Sequence, residues 1–364
     1  MRKISINHAY AVIMAGGRGE RFWPLSTAAR PKQFLALFGG KTLLTQAVDR
    51  LSGVIPPERI LVITSRDLVP LTRETAWNLP AENIIGEPMG RDTAAACALA
   101  CGLVSQRDPQ GVVCILTADQ LMADVDAFRQ ILADSVSVAA AQDVIVTIGV
   151  QPDHPATGFG YIEAGEKLET GTATAFQRAV RFVEKPNASV AAEYVASGRY
   201  CWNAGMFIWR VGVMRQAIDQ HAPHLTALCE QAAETRPAEL DALLDTIYPP
   251  LKKISVDFAI MEHLKNIVVA RGSFGWDDVG TWSAVGNHIA VDAVGNVVVG
   301  SCEAVEATGN VVISEGRLTA LLGVKDVVVV HAGATTLVCA RDRVQDLKKL
   351  VQQVGQRPDG AKYV

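Results

Sequence analysis

Residues 10–35 read YAVIMAGGRGERFWPLSTAARPKQFL. An apolar run, typical of a buried strand, leads directly into a glycine-rich turn, and cations mixed with two prolines follow without a helical period. Gly16, Gly17 and Gly19 let backbone N–H groups approach an anion closely. The turn fits neither G-x-G-x-x-G nor G-x-x-x-x-G-K-[ST], so the two common nucleotide fingerprints are excluded. The stretch nevertheless predicts a phosphate cradle behind the first strand.

Two of the cations in this stretch suit phosphate chemistry. Arg21 offers a planar, permanently charged fork for phosphate oxygens, and Lys32 in RPKQF adds a second point charge. The competing interpretation is a solvated turn with surface arginines. We favour the cradle because strand, glycines, cations and prolines coincide in one segment.

The pattern of the first 150 residues predicts an α/β fold. Short apolar runs at 10–17, 59–65, 112–119 and 144–150 alternate with helical patterns, among them 42–51 and 93–106, where Asp92 is a candidate cap. We therefore expect a Rossmann-like mixed, mostly parallel sheet flanked by helices. Such sheets bind ligands at the carboxyl ends of their strands, where the glycine turn and the segment TADQ lie.

The later sequence predicts a second domain. Residues 151–290 read as strands, loops and helices, the latter at about 187–198 and 211–246, that extend the sheet. After 291, short β runs are broken by Gly, Asn and Asp; GNVVV and GNVVI recur fourteen residues apart, and a helix follows at about 343–354. We expect a catalytic domain over 1–290 and, over 291–364, a small β-rich, left-handed β-helix-like domain with a terminal helix.

Composition limits the class of protein. The chain has 364 residues, 49% hydrophobic and 20% charged, with net charge −4, so a general nucleic-acid partner is not expected. Seven scattered cysteines without C-x-x-C indicate a reducing cytoplasm, and Cys97 and Cys101 read as core packing. No long apolar window is present, so we expect a cytoplasmic protein without a membrane partner.

A set of motifs in fixed order resembles one enzyme family. The motifs are MAGGRGERFWPLS…RPKQFL, GRDTAAA (90–96), ADQ (118–120), GFGYIE (158–163), FVEKP (182–186), WNAGMFIW (202–209), SVDFAIME (255–262) and WDDVGTW (276–282). Together they resemble the sugar-1-phosphate nucleotidyltransferases, over nearly all of residues 10–285. Within that family the chain looks most like the members that make GDP-mannose.

The resemblance implies a reaction. GMP is transferred from GTP to mannose 1-phosphate, giving GDP-mannose and pyrophosphate, by Mg²⁺-dependent in-line attack on the α-phosphate. A phosphate oxygen is already a competent nucleophile, so catalysis needs positioning and charge neutralisation rather than a general base. The family's C-terminal β-rich segment helps to form a dimer, so we expect a homodimer. Some members carry an additional isomerase domain, and we expect no isomerase activity from this chain.

The resemblance also assigns roles residue by residue. Arg21 binds the triphosphate and leaving group, and Lys32 binds the α-phosphate. Asp119 and Asp278 hold Mg²⁺, and the competing interpretation of Asp277 and Asp278 is a capped turn. The expected nucleotide-binding residues are Ala15, Gly16, Gly17, Gly19, Glu87, Arg91, Asp92 and Thr93. The expected sugar-phosphate-binding residues are Gly160, Glu184, Lys185, Asn203 and Asp257.

Physical chemistry supports several of these roles. Glu87 can accept from guanine N1–H and N2–H₂, a donor pair that adenine lacks. Asn203 can donate to and accept from a sugar hydroxyl. Glu184 and Lys185 would point to opposite faces if both lay on a strand. For Asp257, in the first turn of a helix beginning near Ser255, a helix-dipole role is as consistent as a sugar contact.

Two positions depart from the family pattern. Gln120 stands where members commonly have His, and Asp92 stands where they more often have Asn. Because of these departures, two alternatives stay open: a nucleotidyltransferase for another sugar 1-phosphate or base, and a non-catalytic regulatory homologue that binds a GDP-sugar.

Overall fold

The computed structural model describes Ile6 and residues 8–364; residues 1–5 and Asn7, which fall within the expected catalytic domain, lie outside the described residues. The chain forms two compact units. The first comprises the described residues of 1–16 together with 47–118 and 122–276. The second comprises 17–46, 119–121 and 277–364, so the chain enters it three times.

The strands and α-helices follow one another along the whole chain. The strands are β1 (Ala9–Met14), β2 (Ile60–Ser65), β3 (Ile84–Glu87), β4 (Val112–Thr117), β5 (Leu121–Met122), β6 (Ile145–Val150), β7 (Tyr161–Leu168), β8 (Phe176–Val183), β9 (Tyr200–Arg210), β10 (Ile267–Gly272), β11 (Trp276–Asp277), β12 (Val297–Val305), β13 (Val311–Leu322), β14 (Val327–Ala332) and β15 (Thr335–Ala340). The helices are α1 (Leu43–Asp49), α2 (Val69–Thr75), α3 (Asp92–Arg107), α4 (Val125–Ala141), α5 (Ala188–Ser197), α6 (Val211–His221), α7 (Thr226–Glu234), α8 (Leu240–Ile247), α9 (Val256–Ala259) and α10 (Leu347–Gly355).

A nine-stranded mixed sheet forms the centre of the first unit, in the order β3-β2-β1-β4-β9-β6-β10-β8-β7. The expected parallel pairing holds for β3-β2-β1-β4 and for β6 with β10. The strands β7, β8 and β9 instead pair antiparallel with their neighbours. The sheet is therefore parallel mainly in its first half, where β1, β2 and β4 are buried almost throughout, as strands covered on both faces are.

Small side chains let helix α3 pack closely in the first unit. This alanine-rich helix is buried from Ala94 to Val104 and packs against α6 and α7. A Cβ on Gly102 would lie 2.4 Å from the carbonyl oxygen of Cys229 on α7. Cys97 and Cys101 are both fully buried there, which confirms their interpretation as core packing. The predicted helix over 211–246 is three helices, α6, α7 and α8, because Pro223 and Pro237 each start a new segment.

A ladder of asparagines organises the β-rich part of the second unit. Strands β12, β13 and β14 pair in parallel, with Val297 opposite Val311 and Val311 opposite Val328. The fourteen-residue repeat places Asn310 beneath Asn296, whose Oδ1 accepts from both the backbone N–H and Nδ2 of Asn310 at 3.0 Å. Asn310 Oδ1 in turn accepts from the backbone N–H of Val327 at 3.1 Å. The repeated segments GNVVV and GNVVI thus lie in successive parallel coils.

Two predictions of architecture are confirmed. A mixed sheet flanked by helices and a β-rich C-terminal region are both present. The predicted terminal helix starts later than expected, because residues 341–346 form a 3₁₀ segment before α10. Within the described part of the chain, no helix is long and apolar enough to span a bilayer.

Candidate active site

In the second unit the glycine turn is held against Lys32. Gly19 has φ +60°, in the left-handed region, and a Cβ on it would lie 2.3 Å from the Cβ of Lys32. Gly17 has open space around its Cα, so its backbone stays approachable. Arg21 lies in a 3₁₀ turn over Glu20–Phe22 and is exposed. The turn therefore presents Arg21 outward while its glycine backbone packs on the segment that carries Lys32.

Lys32 connects the two predicted metal ligands of the second unit. Its side chain is only 6% exposed, and Nζ donates to Asp119 Oδ2 at 3.1 Å and to the backbone oxygen of Asp278 at 2.6 Å. The ammonium also lies 5.7 Å from the centre of the Phe22 ring. Because a buried cation is costly unless it is paired and hydrogen-bonded, these contacts account for its place among acidic residues.

Asp278 is held close to other carboxylates. Burial raises the pKa of its carboxyl, the charge of Lys32 lowers it, and the charges of Asp119 and Asp277 raise it again. A hydrogen bond from Gln120 also lowers this pKa. Gln120 is thus a donor to Asp278, a role that a neutral side chain performs without taking up a proton.

Asp277 and Asp278 have different surroundings. Asp277 Oδ1 accepts from the backbone N–H of Val279 at 2.7 Å, and Oδ2 lies 2.8 Å from His288 Nε2. Asp277 therefore stabilises the turn, as the capped-turn interpretation expected. Asp278 instead shares its surroundings with Lys32 and Asp119.

The acidic pair fits a magnesium ion. Two mutually repelling carboxylates supply hard oxygen ligands, and Mg²⁺ usually takes one or two carboxylates while keeping waters and substrate phosphate oxygens. The described residues contain no group of three or more His, Cys, Asp or Glu side chains able to hold a metal.

In the first unit, Glu87 ends β3 as a buried carboxylate. It is 8% exposed, and Tyr248 donates its hydroxyl to Glu87 Oε1 at 2.9 Å. A Cβ on Gly16 would lie 3.7 Å from Glu87 Oε2, so the other oxygen faces the start of the glycine turn. Ala15 continues from β1, and its backbone N–H donates to the carbonyl oxygen of Ile63 at 2.8 Å.

The segment 91–93 is fixed by its neighbours. Arg91 Nε donates to the carbonyl oxygen of Tyr248 at 3.1 Å, and its guanidinium also donates to that of Pro249. Asp92 is the first residue of α3, has φ +66° and accepts from the backbone N–H of Thr93 at 2.8 Å. The residue that precedes the helix is Arg91, so the expectation that Asp92 precedes and caps it is corrected: Asp92 lies inside the helix, and its carboxylate accepts from the adjacent N–H of Thr93.

Glu184 and Lys185 lie beyond the end of β8. Their side chains form an ion pair, and Lys185 has φ +45°. Neither residue is on the strand, so the condition under which they would point to opposite faces is not met. A Cβ on Gly160 would lie 2.6 Å from Glu184 Oε2, so any larger residue at this position would displace the carboxylate.

Asn203 and Asp257 are directly connected. Asn203 Nδ2 donates to Asp257 Oδ1 at 3.1 Å, and Asn203 Oδ1 accepts from the backbone N–H of Gly205 at 3.0 Å. Burial raises the pKa of Asp257 to about 6, aided by the charge of Glu184, while Lys185 and Asn203 lower it. Glu184, Lys185, Asn203 and Asp257 thus influence one another.

Two residues of the first unit contact the predicted site residues without being indicated by the sequence. Tyr248 follows α8 in TIYPP, and no motif or spacing in the sequence points to it. The hydroxyl of the buried Thr147 on β6 has two acceptors within reach of its single proton, Asn203 Oδ1 at 3.3 Å and the carbonyl oxygen of Met206 at 3.2 Å. Both are contacts between distant segments, which periodicity does not reveal.

Comparison with known proteins defines the class. The nucleotidyl transferase family matches residues 10–292, and a MannoseP isomerase/GMP-like beta-helix domain matches residues 300–354. The chain belongs to the nucleotidyl transferase family, which confirms the resemblance noted in its motifs.

Individual members of the family are similar to this chain over most of its length. The chain is 37% identical over 350 residues, 95% of its length and 73% of the relative's, to mannose-1-phosphate guanylyltransferase of Escherichia coli K12. It is 36% identical to a putative mannose-1-phosphate guanylyltransferase of Vibrio cholerae, over 94% of this chain and 74% of that one. A crystal structure described as mannose-1-phosphate geranyltransferase from Thermus thermophilus shares 36% identity at a TM-score of 0.86, covering 95% of this chain and 99% of that one.

Proposed function

We propose that this protein transfers GMP from GTP to α-D-mannose 1-phosphate, releasing pyrophosphate and forming GDP-mannose. The observation that carries the proposal is the buried ammonium of Lys32 between Asp119 and Asp278. A buried cation beside two carboxylates suits a reaction that must neutralise a triphosphate. Family membership and the named relatives support the same choice of chemistry and substrates.

The first set of proposed roles concerns the triphosphate and the metal ion. In the second unit, Arg21 binds the β- and γ-phosphates, Lys32 donates to the α-phosphate, and Gly17 and Gly19 offer backbone N–H groups. Asp119 and Asp278 hold the divalent ion, proposed to be Mg²⁺. When bound, Mg²⁺ offsets charge that develops on the leaving pyrophosphate.

In the first unit, the proposed groups bind the base and the sugar phosphate. Glu87 accepts from the guanine edge, and the nucleotide-binding residues with it are Ala15, Gly16, Arg91, Asp92 and Thr93. The sugar-phosphate group is Gly160, Glu184, Lys185, Asn203 and Asp257. Lys185 would exchange its ion pair with Glu184 for the incoming phosphate, which leaves Glu184 to accept from sugar hydroxyls.

Further proposals concern the organisation of the protein. We propose that residues 1–290 form the catalytic domain and that 291–364 form a dimerisation domain of a cytoplasmic homodimer. Partners would be the substrates and products, without nucleic acid or membrane. Size-exclusion chromatography with light scattering tests the dimer: a monomer at micromolar concentration would contradict it.

A substrate matrix tests the proposed reaction. Pyrophosphate release is measured for each combination of GTP, ATP, UTP and dTTP with mannose, glucose and galactose 1-phosphates, with Mg²⁺ and with EDTA. The expected result is highest kcat/KM for GTP with mannose 1-phosphate and none in EDTA. Preference for another pair would establish the alternative nucleotidyltransferase, and no turnover with any pair would favour the regulatory homologue.

A further inference from the structure

Tyr248 holds one oxygen of Glu87 from a fully buried position. Its hydroxyl donates to Oε1 at 2.9 Å, and none of its surface is exposed. The other oxygen, Oε2, faces Gly16, where a Cβ would lie 3.7 Å away. The carboxylate is thus fixed through Oε1, while Oε2 faces Gly16, a residue proposed to bind the nucleotide.

The backbone of Tyr248 is fixed as well. Arg91 Nε donates to its carbonyl oxygen at 3.1 Å, and the N–H of Leu251 donates to the same oxygen at 3.1 Å. The N–H of Tyr248 donates to Leu244 on α8 at 3.1 Å. Because both ring and backbone are anchored, the phenol is a preorganised donor rather than a mobile side chain.

The surroundings of Glu87 bring the ionisation of its carboxyl close to neutral pH. Burial raises the pKa of its carboxyl to about 7, and the hydrogen bond from Tyr248 lowers it. The buried thiol of Cys97 on α3 also interacts with Glu87, and its pKa is raised well above its usual value, as is that of Tyr248. Both neighbours are therefore neutral, and the phenol hydrogen bond favours the charged carboxylate.

The protonation state of Glu87 decides which base it matches. The carboxylate only accepts, so it complements N1–H and N2–H₂ of guanine. The carboxylic acid has one donor and one acceptor, and it complements N1 and N6–H₂ of adenine. Protonation therefore weakens binding of guanine and improves the match to adenine, because an unmatched buried polar group is costly.

We infer that Tyr248 is a positioning residue that keeps Glu87 ionised and thereby sets the preference of the enzyme for guanine. The inference rests on the proposed function, since Glu87 must face the base. It adds a residue outside every motif of the sequence, and it makes base selectivity dependent on pH.

The test is the ratio of kcat/KM for GTP to that for ATP, with mannose 1-phosphate, between pH 6 and pH 9. Both nucleotides carry the same triphosphate, so its own titration cancels in the ratio. The wild-type ratio should fall about tenfold for each pH unit below the pKa of Glu87, as its ionised fraction does. In Tyr248→Phe the ratio should begin to fall at a higher pH. The change should come from KM rather than from kcat.

Two variants control the experiment. Glu87→Gln cannot ionise there, so its ratio should be low and independent of pH. Tyr200→Phe removes another buried tyrosine hydroxyl, which donates to Glu163 at 3.0 Å, and should keep the wild-type profile. A Tyr248→Phe profile that coincides with the wild-type profile at every pH would overturn the inference.

Two further measurements keep the outcomes distinct. If Tyr248→Phe does not fold, 3-fluorotyrosine at position 248 retains the shape but is a stronger donor, and the midpoint should move to lower pH; an unmoved midpoint contradicts the inference. Calorimetric Kd values for GTP and ATP follow the same profiles without turnover. If the wild-type protein binds both nucleotides as described but releases no pyrophosphate, the proposed function fails while the role of Tyr248 stands.

Discussion

Lys32 donates its Nζ to Asp119 Oδ2 at 3.1 Å, across 87 positions of sequence. The same ammonium donates to the backbone oxygen of Asp278, 246 positions away. One buried cation therefore holds together the three segments from which the second unit is built. The residues that carry charge in the proposed reaction are also part of the structure of this unit.

Replacement of Lys32 should remove activity more than it removes stability. In Lys32→Met the aliphatic stem is kept, while the charge next to Asp119 and Asp278 is lost. Removing one preorganised charge donor typically lowers kcat by about 10²–10³-fold. Pyrophosphate release and thermal unfolding together check this. Lys349→Met, at an 81% exposed side chain, is the matched control; equal kcat in both variants would contradict the role of Lys32.

Gly19→Ala should destabilise the second unit. The new Cβ would lie 2.3 Å from the Cβ of Lys32, and φ +60° adds about 1–2 kcal/mol of backbone strain. Gly17→Ala, which meets no atom within 4 Å, is the matched comparison for stability. Urea unfolding should show a lower midpoint for Gly19→Ala alone. Equal midpoints would mean that the turn can move away from Lys32.

The asparagine ladder should contribute measurably to stability. Asn310 is fully buried, and Asn310→Ala leaves the backbone N–H of Val327 without its side-chain acceptor, while Asn296 Oδ1 keeps only the backbone N–H of Asn310 as a donor. Each orphaned buried group costs about 1–3 kcal/mol. We expect a lower midpoint in urea unfolding, with Gln353→Ala on the exposed surface of α10 unchanged. A midpoint like that of wild type would show that the coils do not depend on the ladder.

Buried carboxyls should make stability fall as pH rises towards neutrality. The pKa of Asp257 is about 6 in the folded chain against 3.8 unfolded, so the folded state binds the proton more tightly. Stabilisation from protonated Asp257 is therefore fully present below pH 4 and is lost as pH rises through 6. In Asp257→Asn this part of the slope between pH 4 and pH 6 should disappear. Asp126→Asn, at an 89% exposed side chain, should retain it. An unchanged slope in Asp257→Asn would contradict burial of the ionised group.

Features that depend on the local sequence pattern were predictable, whereas features that depend on contacts between distant segments were not. The strands β1, β2, β4 and β6 were predictable because they are apolar runs between clear breakers. Antiparallel pairing of β9 was not, since strand direction depends on partners far along the chain. The fourteen-residue repeat indicated coils, but only the hydrogen bonds of Asn296 and Asn310 show why asparagine recurs.

The candidate site shows the same division. Asp119, Asp278 and Lys32 could be identified from their motifs, because their residue types and their order along the chain match those of the family. The structure brings these three residues together. Tyr248 lies 161 positions from Glu87, and its role depends on a single hydrogen bond. Asp277 and Asp278 are adjacent and chemically identical, so only their contacts distinguish a turn-stabilising carboxylate from a candidate metal ligand.

Gly160→Ala should weaken binding of the sugar phosphate. A Cβ there would lie 2.6 Å from Glu184 Oε2, so the carboxylate must move, and the paired Lys185 must move with it. We expect KM for mannose 1-phosphate to rise by about tenfold, equivalent to about 1.4 kcal/mol, with KM for GTP little changed. Gly158→Ala, two residues earlier, meets no atom within 4 Å and should behave as wild type in steady-state kinetics. A rise in KM for GTP instead, or equal effects of the two substitutions, would remove Glu184 and Lys185 from the proposed sugar-phosphate site.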